Sequence, residues 1–260
     1  MWSLIWMTLA AAMPLGDLDW FVVNDTVMGG VSQSTVQIEE HLSFAGVLSL
    51  ERNGGFASIR ANVPRGSFAG AAALRLELKG DGRTYDITLR RSDIPLRAGS
   101  YRVRVTTTAE PTVVSIPLGE FRPTSFGRPV PGAPALDAAT DRIATVGVML
   151  ADKQPGPFEM EILSMEIVRD ESLQMIDREP AIAMLLTAIE QGVGQFNRGD
   201  HAGCARTYET ALSKAIKSQR LTPGEVSIIE EAMDRTHRQS PTDAAWTLRY
   251  AMDSVLYTGV

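Results

Sequence analysis

The chain has 260 residues, 44% of them hydrophobic and 22% charged, with a formal net charge of −6. This composition fits a globular protein of two unequal domains and excludes a disordered chain or a membrane bundle, because no stretch reaches the ~18 apolar residues that a spanning helix needs. The acidic balance argues against general electrostatic binding of nucleic acid, and arginine's 21 of the 25 basic residues read as compositional bias rather than as a set of anion sites.

Cys204 is the single cysteine, which excludes a disulfide framework or a cysteine-based metal cluster within one chain. His41, His201 and His237 are scattered without the ligand spacing of a zinc site and read as surface or packing residues. Neither a metal nor a cofactor is expected.

Residues 1–18 read as a signal-like or disordered amino-terminal segment. Residues 1–12 have the composition of a signal-peptide core with a small-residue cleavage site after Ala12, although a positive n-region is missing. This predicts an exported protein, periplasmic or secreted. The alternatives are a start at Met13, which implies a cytoplasmic chain, and a short apolar segment packed on the core.

Residues 20–34, WFVVNDTVMGGVSQS, form the most specific stretch. Trp20 to Val23 reads as a short buried edge element, Asn24 and Asp25 turn the chain out of the extended path, and Gly29 and Gly30 allow a close backbone approach or a positive φ. From Val36 to Ile167 the apolar residues recur with period two between Gly, Pro, Asn and Asp punctuation, predicting about eight or more strands. Leu74, Leu76 and Leu78 share one face, as do Tyr85, Ile87 and Leu89, with 80–83 expected to join the two strands as a hairpin. Tyr101, Val103 and Val105 are predicted inward and Arg102 and Arg104 outward, and the alternation slips near Leu163, which predicts a bulge. Asp86, Thr88, Arg90, Arg102 and Arg104 then form an outward row that is either a solvated face or a binding face. Residues 121–141, rich in Pro and Gly, read as a long irregular loop.

The opening stretch resembles the start of the CIA30 family, named for the mitochondrial complex I intermediate-associated protein, in its W-x-x-V-N-D-x-V-M-G-G-x-S-x-S run. Further motifs follow in the family's order: FAGVLSL at 44–50, NGGFAS at 53–58, GDGRTY at 80–85 and DKQPGPF at 152–158. The resemblance covers 19–169 and implies an all-β jelly-roll sandwich of the galactose-binding-like kind. It also implies a role in assembling respiratory complex I, and it places Asn24, Asp25, Met28, Gly29, Gly30, Gly80, Asp81, Arg83, Asp152, Lys153 and Gln154 as candidate partner- or ligand-binding residues.

Residues 170–179 read as a polar linker, and 180–260 as a small all-α domain of four helices. Pro180 opens the first, Gly199 ends it and Asp200 caps the second. Thr222-Pro-Gly-Glu225 and Ser240-Pro-Thr-Asp243 open the third and fourth. Gly192, Gly199, Cys204, Tyr208 and Ala211 are spaced like a tetratricopeptide helix pair, too few repeats for a solenoid.

No nucleophile–base–acid arrangement, G-x-S-x-G elbow, H-E-x-x-H or phosphate loop stands out, so no catalytic residue is assigned. The expected function is a non-catalytic binding protein, an assembly factor or chaperone-like scaffold whose partners are proteins or complex subunits, including those of a respiratory complex. The alternative is a carbohydrate-binding module holding a glycan on Tyr85, Tyr101, Phe121 and Phe126, since sugar sites use aromatic platforms. Asn24 and Asp25 have a commoner use, satisfying their own turn, which sets a structural role against the binding one.

Overall fold

A computed structural model of the chain describes residues 9–94, 99–170 and 176–256. The strands are β1 (Leu9–Ala12), β2 (Trp20–Val22), β3 (Gln33–Ile38), β4 (Leu42–Leu48), β5 (Ala57–Asn62), β6 (Ala71–Gly80) and β7 (Thr84–Arg91). They continue with β8 (Ser100–Thr106), β9 (Thr112–Pro117), β10 (Arg122–Ser125), β11 (Arg128–Pro129), β12 (Ile143–Leu150) and β13 (Gly156–Arg169). One antiparallel sheet runs β3-β4-β13-β6-β9, with β1 added on β13, and the other runs β11-β10-β8-β7-β12-β5-β2. The two sheets make an all-β jelly-roll sandwich, and a small all-α part follows it.

Alternation supplies the shared core. Leu74, Leu76 and Leu78 of β6 and Tyr85, Ile87 and Leu89 of β7 are buried, as the period-two pattern predicts. Phe44, Tyr85 and Phe158 meet edge to face, with ring centroids 4.9 to 6.5 Å apart. Burying a side chain of this size contributes about 1.5–3 kcal/mol. The bulge falls where the alternation slips: the register of β13 on β6 shifts between Ile162 and Ser164 and skips Leu163.

Three expectations are corrected. Residues 80–83 do not close a hairpin, because β6 pairs with β13 and β9 while β7 pairs with β8 and β12. They form a corner that carries the chain from one sheet to the other. The irregular stretch 121–141 instead holds β10, β11 and a 3-10 segment, Leu136–Arg142, with Phe121, Ala135 and Leu136 buried. Pro129 is tolerated because β11 is the edge strand, and Pro123 because β11 pairs only with Thr124 and Ser125 of β10.

The third correction concerns the amino-terminal segment. Strand β4 covers β13 only from Gly156 to Ile162, and β1 pairs with Glu166 to Arg169, where the ladder would otherwise stay open. Met13 and Leu18 are buried in the core, and the Met13 amide donates to the Met165 carbonyl at 2.8 Å. Residues 9–18 are therefore part of the sandwich, while the signal-like reading of residues 1–8 lies outside the described residues.

The helices are α1 (Glu179–Asn197), α2 (His201–Lys217), α3 (Pro223–Thr236) and α4 (Pro241–Leu256). Asp200 accepts the Gly203 amide at 2.8 Å, Thr222 and Glu225 form a capping box, and Ser240 accepts the Asp243 amide at 3.2 Å. Cys204, Tyr208 and Ala211 line the buried face of α2. Burial pushes the Cys204 thiol up and, first among its causes, the Tyr208 phenol to about 12.

Candidate functional site

The opening stretch folds around Asp25. After β2 the chain enters a 3-10 turn, Asp25–Met28, and Gly29 closes it with φ +91, a conformation that favours glycine. The Asp25 side chain turns inward and is 1% exposed. It accepts the Ser32 hydroxyl at 2.6 Å, the Ser32 amide at 3.0 Å, the Gly55 amide at 2.7 Å and the Phe56 amide at 3.3 Å.

Burial alone would raise the Asp25 pKa. The Ser32 hydroxyl and the Gly55, Ser32 and Phe56 amides outweigh it and hold the carboxyl below its ordinary value. Gly30 is required by this packing, because a Cβ there would lie 2.4 Å from the Asp25 carboxyl carbon. Asn24 Oδ1 accepts the Ser34 hydroxyl at 2.8 Å and the Ser58 amide at 3.3 Å. The pair thus ties 24–34 to 55–58.

A second clasp forms at the inter-sheet corner. Arg83 grips Asp152 with two bonds, Nε to Oδ2 at 2.9 Å and Nη2 to Oδ1 at 2.7 Å, and also donates to the Pro157 carbonyl at 3.0 Å and to the Gln154 carbonyl. This fork geometry is what arginine supplies and lysine does not. Burial would raise the Asp152 carboxyl, and the hydrogen bonds from Arg83 and the Gln154 amide, with the Arg83 charge, more than reverse it. The hydrogen bond to Asp152 is in turn the largest cause holding the Arg83 pKa above its ordinary value. Asp81 accepts the Glu159 amide at 3.0 Å and the Tyr85 hydroxyl at 3.1 Å, while a Cβ on Gly80 would meet the Thr107 hydroxyl at 2.7 Å.

The register places both clasps at one end of the second sheet: Leu150 pairs with Ala57 on one side and Tyr85 on the other, and Phe56, Ala151 and Thr84 lie just beyond. Two groups of expected site residues assemble in this way, Asn24, Asp25, Gly29 and Gly30 in one, Gly80, Asp81, Arg83, Asp152 and Gln154 in the other. The side chains of Asn24, Asp25, Arg83 and Asp152 bond within the clasps, whereas Asp81 and Gln154 are exposed and Gln154 takes part through its backbone carbonyl. The opening turn presents Thr26, Val27 and Met28 to solvent, with Val27 71% and Met28 57% exposed, and Phe21, Val22 and Leu50 are also exposed, contrary to the expected burial of the 20–23 element, because β2 is the edge strand of its sheet. Lys153 is exposed at a left-handed turn, φ 63.

Sequence reasoning missed two features. Asp137, buried, accepts the Thr222 hydroxyl at 3.0 Å and the Gly224 amide at 2.9 Å, joining the sandwich to the start of α3. Arg60 belongs to the outward face already recognised at Arg90 and Arg102, a membership set by strand pairing rather than by local pattern. The Ala-Pro-Ala-Leu-Asp run that ends at Asp137 offered the one local signal for the first, an acid that closes an apolar segment.

Residues 13–162 match the family described as Complex I intermediate-associated protein 30 (CIA30). A curated protein of Mus musculus, named Complex I intermediate-associated protein 30, mitochondrial, is 30% identical over 171 residues, 56% of this chain and 51% of that protein. The chain therefore spans about half the length of that relative. Among solved structures, the family 11 carbohydrate-binding module of the cellulosomal cellulase Lic26A-Cel5E of Clostridium thermocellum matches with a TM-score of 0.47 at 14% identity, over 63% of this chain and 95% of that one. A single-residue mutant of CBM29-2, a family 29 carbohydrate-binding module, matches with a TM-score of 0.38 at 10% identity, over 62% of this chain and 86% of that one. Because the family match spans more than half of the 260 residues and contains both clasps, this protein belongs to the CIA30 family.

Proposed function

We propose that the protein is a non-catalytic binding protein, an assembly factor or chaperone-like scaffold for a protein complex. The observation that carries this reading is the turn Asp25–Met28, which holds Val27 and Met28 out at 71% and 57% exposure on backbone anchored by a buried carboxylate. Large apolar groups fixed on a rigid turn lose little conformational freedom on docking, and exposed apolar groups gathered at one place mark interaction surfaces.

In this reading Met28 touches the partner, Asn24, Asp25, Gly29 and Gly30 shape the tip, and the clasp of Gly80, Asp81, Arg83, Asp152 and Gln154 braces the same end, with Lys153 as an exposed cation there. The relative's name, which refers to a complex I intermediate, supports subunits of a respiratory complex as the client. A glycan surface is less well supported, because Tyr85, Tyr101 and Phe121 are buried in the core and only Phe126 of the four candidates is exposed.

Affinity purification with mass spectrometry, run beside a glycan array, tests the reading. Recovery of respiratory-complex subunits without sugar retention is the expected result. Selective retention of a sugar with no subunit recovered would overturn it.

A further inference from the structure

The outward face of the second sheet concentrates positive charge in a chain whose net charge is −6. One row crosses six strands: Phe21, Arg60, Gly147, Thr88, Arg102 and Arg122 pair in that order from β2 to β10. In the adjoining rows Arg90 sits opposite Thr145, and Asp86 lies between Met149 and Arg104. These rows hold five arginines against one carboxylate.

The ion pairs do not neutralise the centre. Asp86 serves Arg102 at 3.5 Å and Arg104 at 3.8 Å, and Arg122 is drawn to Glu231 of α3 at 2.9 Å. Arg60 and Arg90 have no carboxylate partner among the described residues, and both are half-buried. Burial is the main cause that lowers both their pKa values, and for Arg60 the charges of Arg90 and Arg102 add to it. Thr88 and Met149 point outward yet are buried, as expected where long arginine stems lie across them.

We propose that this face binds an extended acidic segment of the protein partner through Arg60, Arg90 and Arg102. The inference rests on the protein-binding reading above and adds the chemistry of the segment. Strands lie about 4.8 Å apart, so Arg60 and Arg102, separated by three strand spacings, are ~14 Å apart at the backbone. Carboxylates on one side of an extended peptide recur every ~6.8 Å, so two of them four residues apart span the same ~14 Å. A single phosphate or sulfate meets one guanidinium or two, whereas cations spread over this length match several carboxylates, each accepting from a planar guanidinium fork.

The test is fluorescence anisotropy of labelled hexaglutamate with the full chain at low and physiological salt, in parallel with labelled oligogalacturonate and with inorganic sulfate as competitor. Hexaglutamate should bind, and Arg60→Gln and Arg90→Gln should each weaken it about tenfold, the scale of one charge-assisted contact. Arg104→Gln, whose side chain is 84% exposed, should change it less than about twofold. Neither Arg60→Gln nor Arg90→Gln should lower the melting temperature, because each relieves repulsion in the free protein. Equal hexaglutamate binding by all variants, tight binding of oligogalacturonate alone, or full competition by dilute sulfate would overturn the proposal. Failure of hexaglutamate to bind while partner capture still depends on Val27 and Met28 would sink this inference and leave the protein-binding reading standing.

Discussion

Asp137 of the sandwich accepts the Gly224 amide of α3 at 2.9 Å, so a residue 87 positions earlier helps to cap the helix and joins the two parts of the chain. The approach is close: a Cβ on Gly224 would sit 2.5 Å from Asp137 Oδ1, and one on Gly119 would sit 2.8 Å from the Gly224 amide. Arg178 adds a link within the helical part by pairing with buried Glu225.

Replacing Asp137 by Ala leaves the Thr222 hydroxyl and the Gly224 amide buried without this acceptor, and should destabilise the full chain by about 2 kcal/mol. Asp137→Asn retains an acceptor and should cost less. Chemical denaturation of the three proteins checks the order. Burial raises the Asp137 carboxyl and, with the charge of Asp137 adding to it, Glu225. With folded values above the unfolded ones, the folded state holds the extra protons, so the junction should weaken as pH rises from about 4 through the raised values.

Asp25 has the opposite sign. Its folded pKa lies below the ordinary 3.8. Its contribution is therefore complete above about pH 4 and is lost as pH falls through the depressed folded value. The stability gap between wild type and Asp25→Asn should be about 1–3 kcal/mol near neutrality and shrink on acidification. Urea titrations across that range measure it. Gly30→Val should be more harmful still, since the added side chain displaces the carboxyl itself.

The domain boundary at 170–179 is a proposal with a direct check. A fragment spanning 9–169 should melt cooperatively on its own, somewhat below the full chain because the bonds from Thr222 and Gly224 to Asp137 are gone. A fragment spanning 19–169 should melt lower again, by about 1–3 kcal/mol or more, because it lacks β1 and buried Met13 and Leu18. Calorimetry of the two fragments separates these effects, and equal melts would show that β1 contributes nothing.

The features legible in the sequence are local ones. Alternation at Leu74, Leu76 and Leu78 marks β6, its slip marks the bulge at Leu163, and hydroxyl or acid caps mark the starts of α2, α3 and α4. The corner at 80–83 passes for a hairpin because turn chemistry states that the chain reverses and not which sheet it joins next. Asn24 and Asp25 are recognisable as a turn, but the inward commitment of Asp25 depends on donors 7, 30 and 31 residues away. Arg60 joins Arg90 and Arg102 only through the pairing of β5, β12, β7 and β8, a long-range register that no local spacing encodes.

Docking of a partner protein on the exposed tip of the opening turn is tested most directly by quantitative affinity purification with the double variant Val27→Ser, Met28→Ser beside wild type, after confirming equal melting temperatures. Both side chains are largely exposed, so the variant should fold normally, and partner recovery should fall about tenfold, as expected for loss of two apolar contacts at the centre of an interface. Recovery of the same partners at the wild-type level from the folded double variant would contradict docking at this tip.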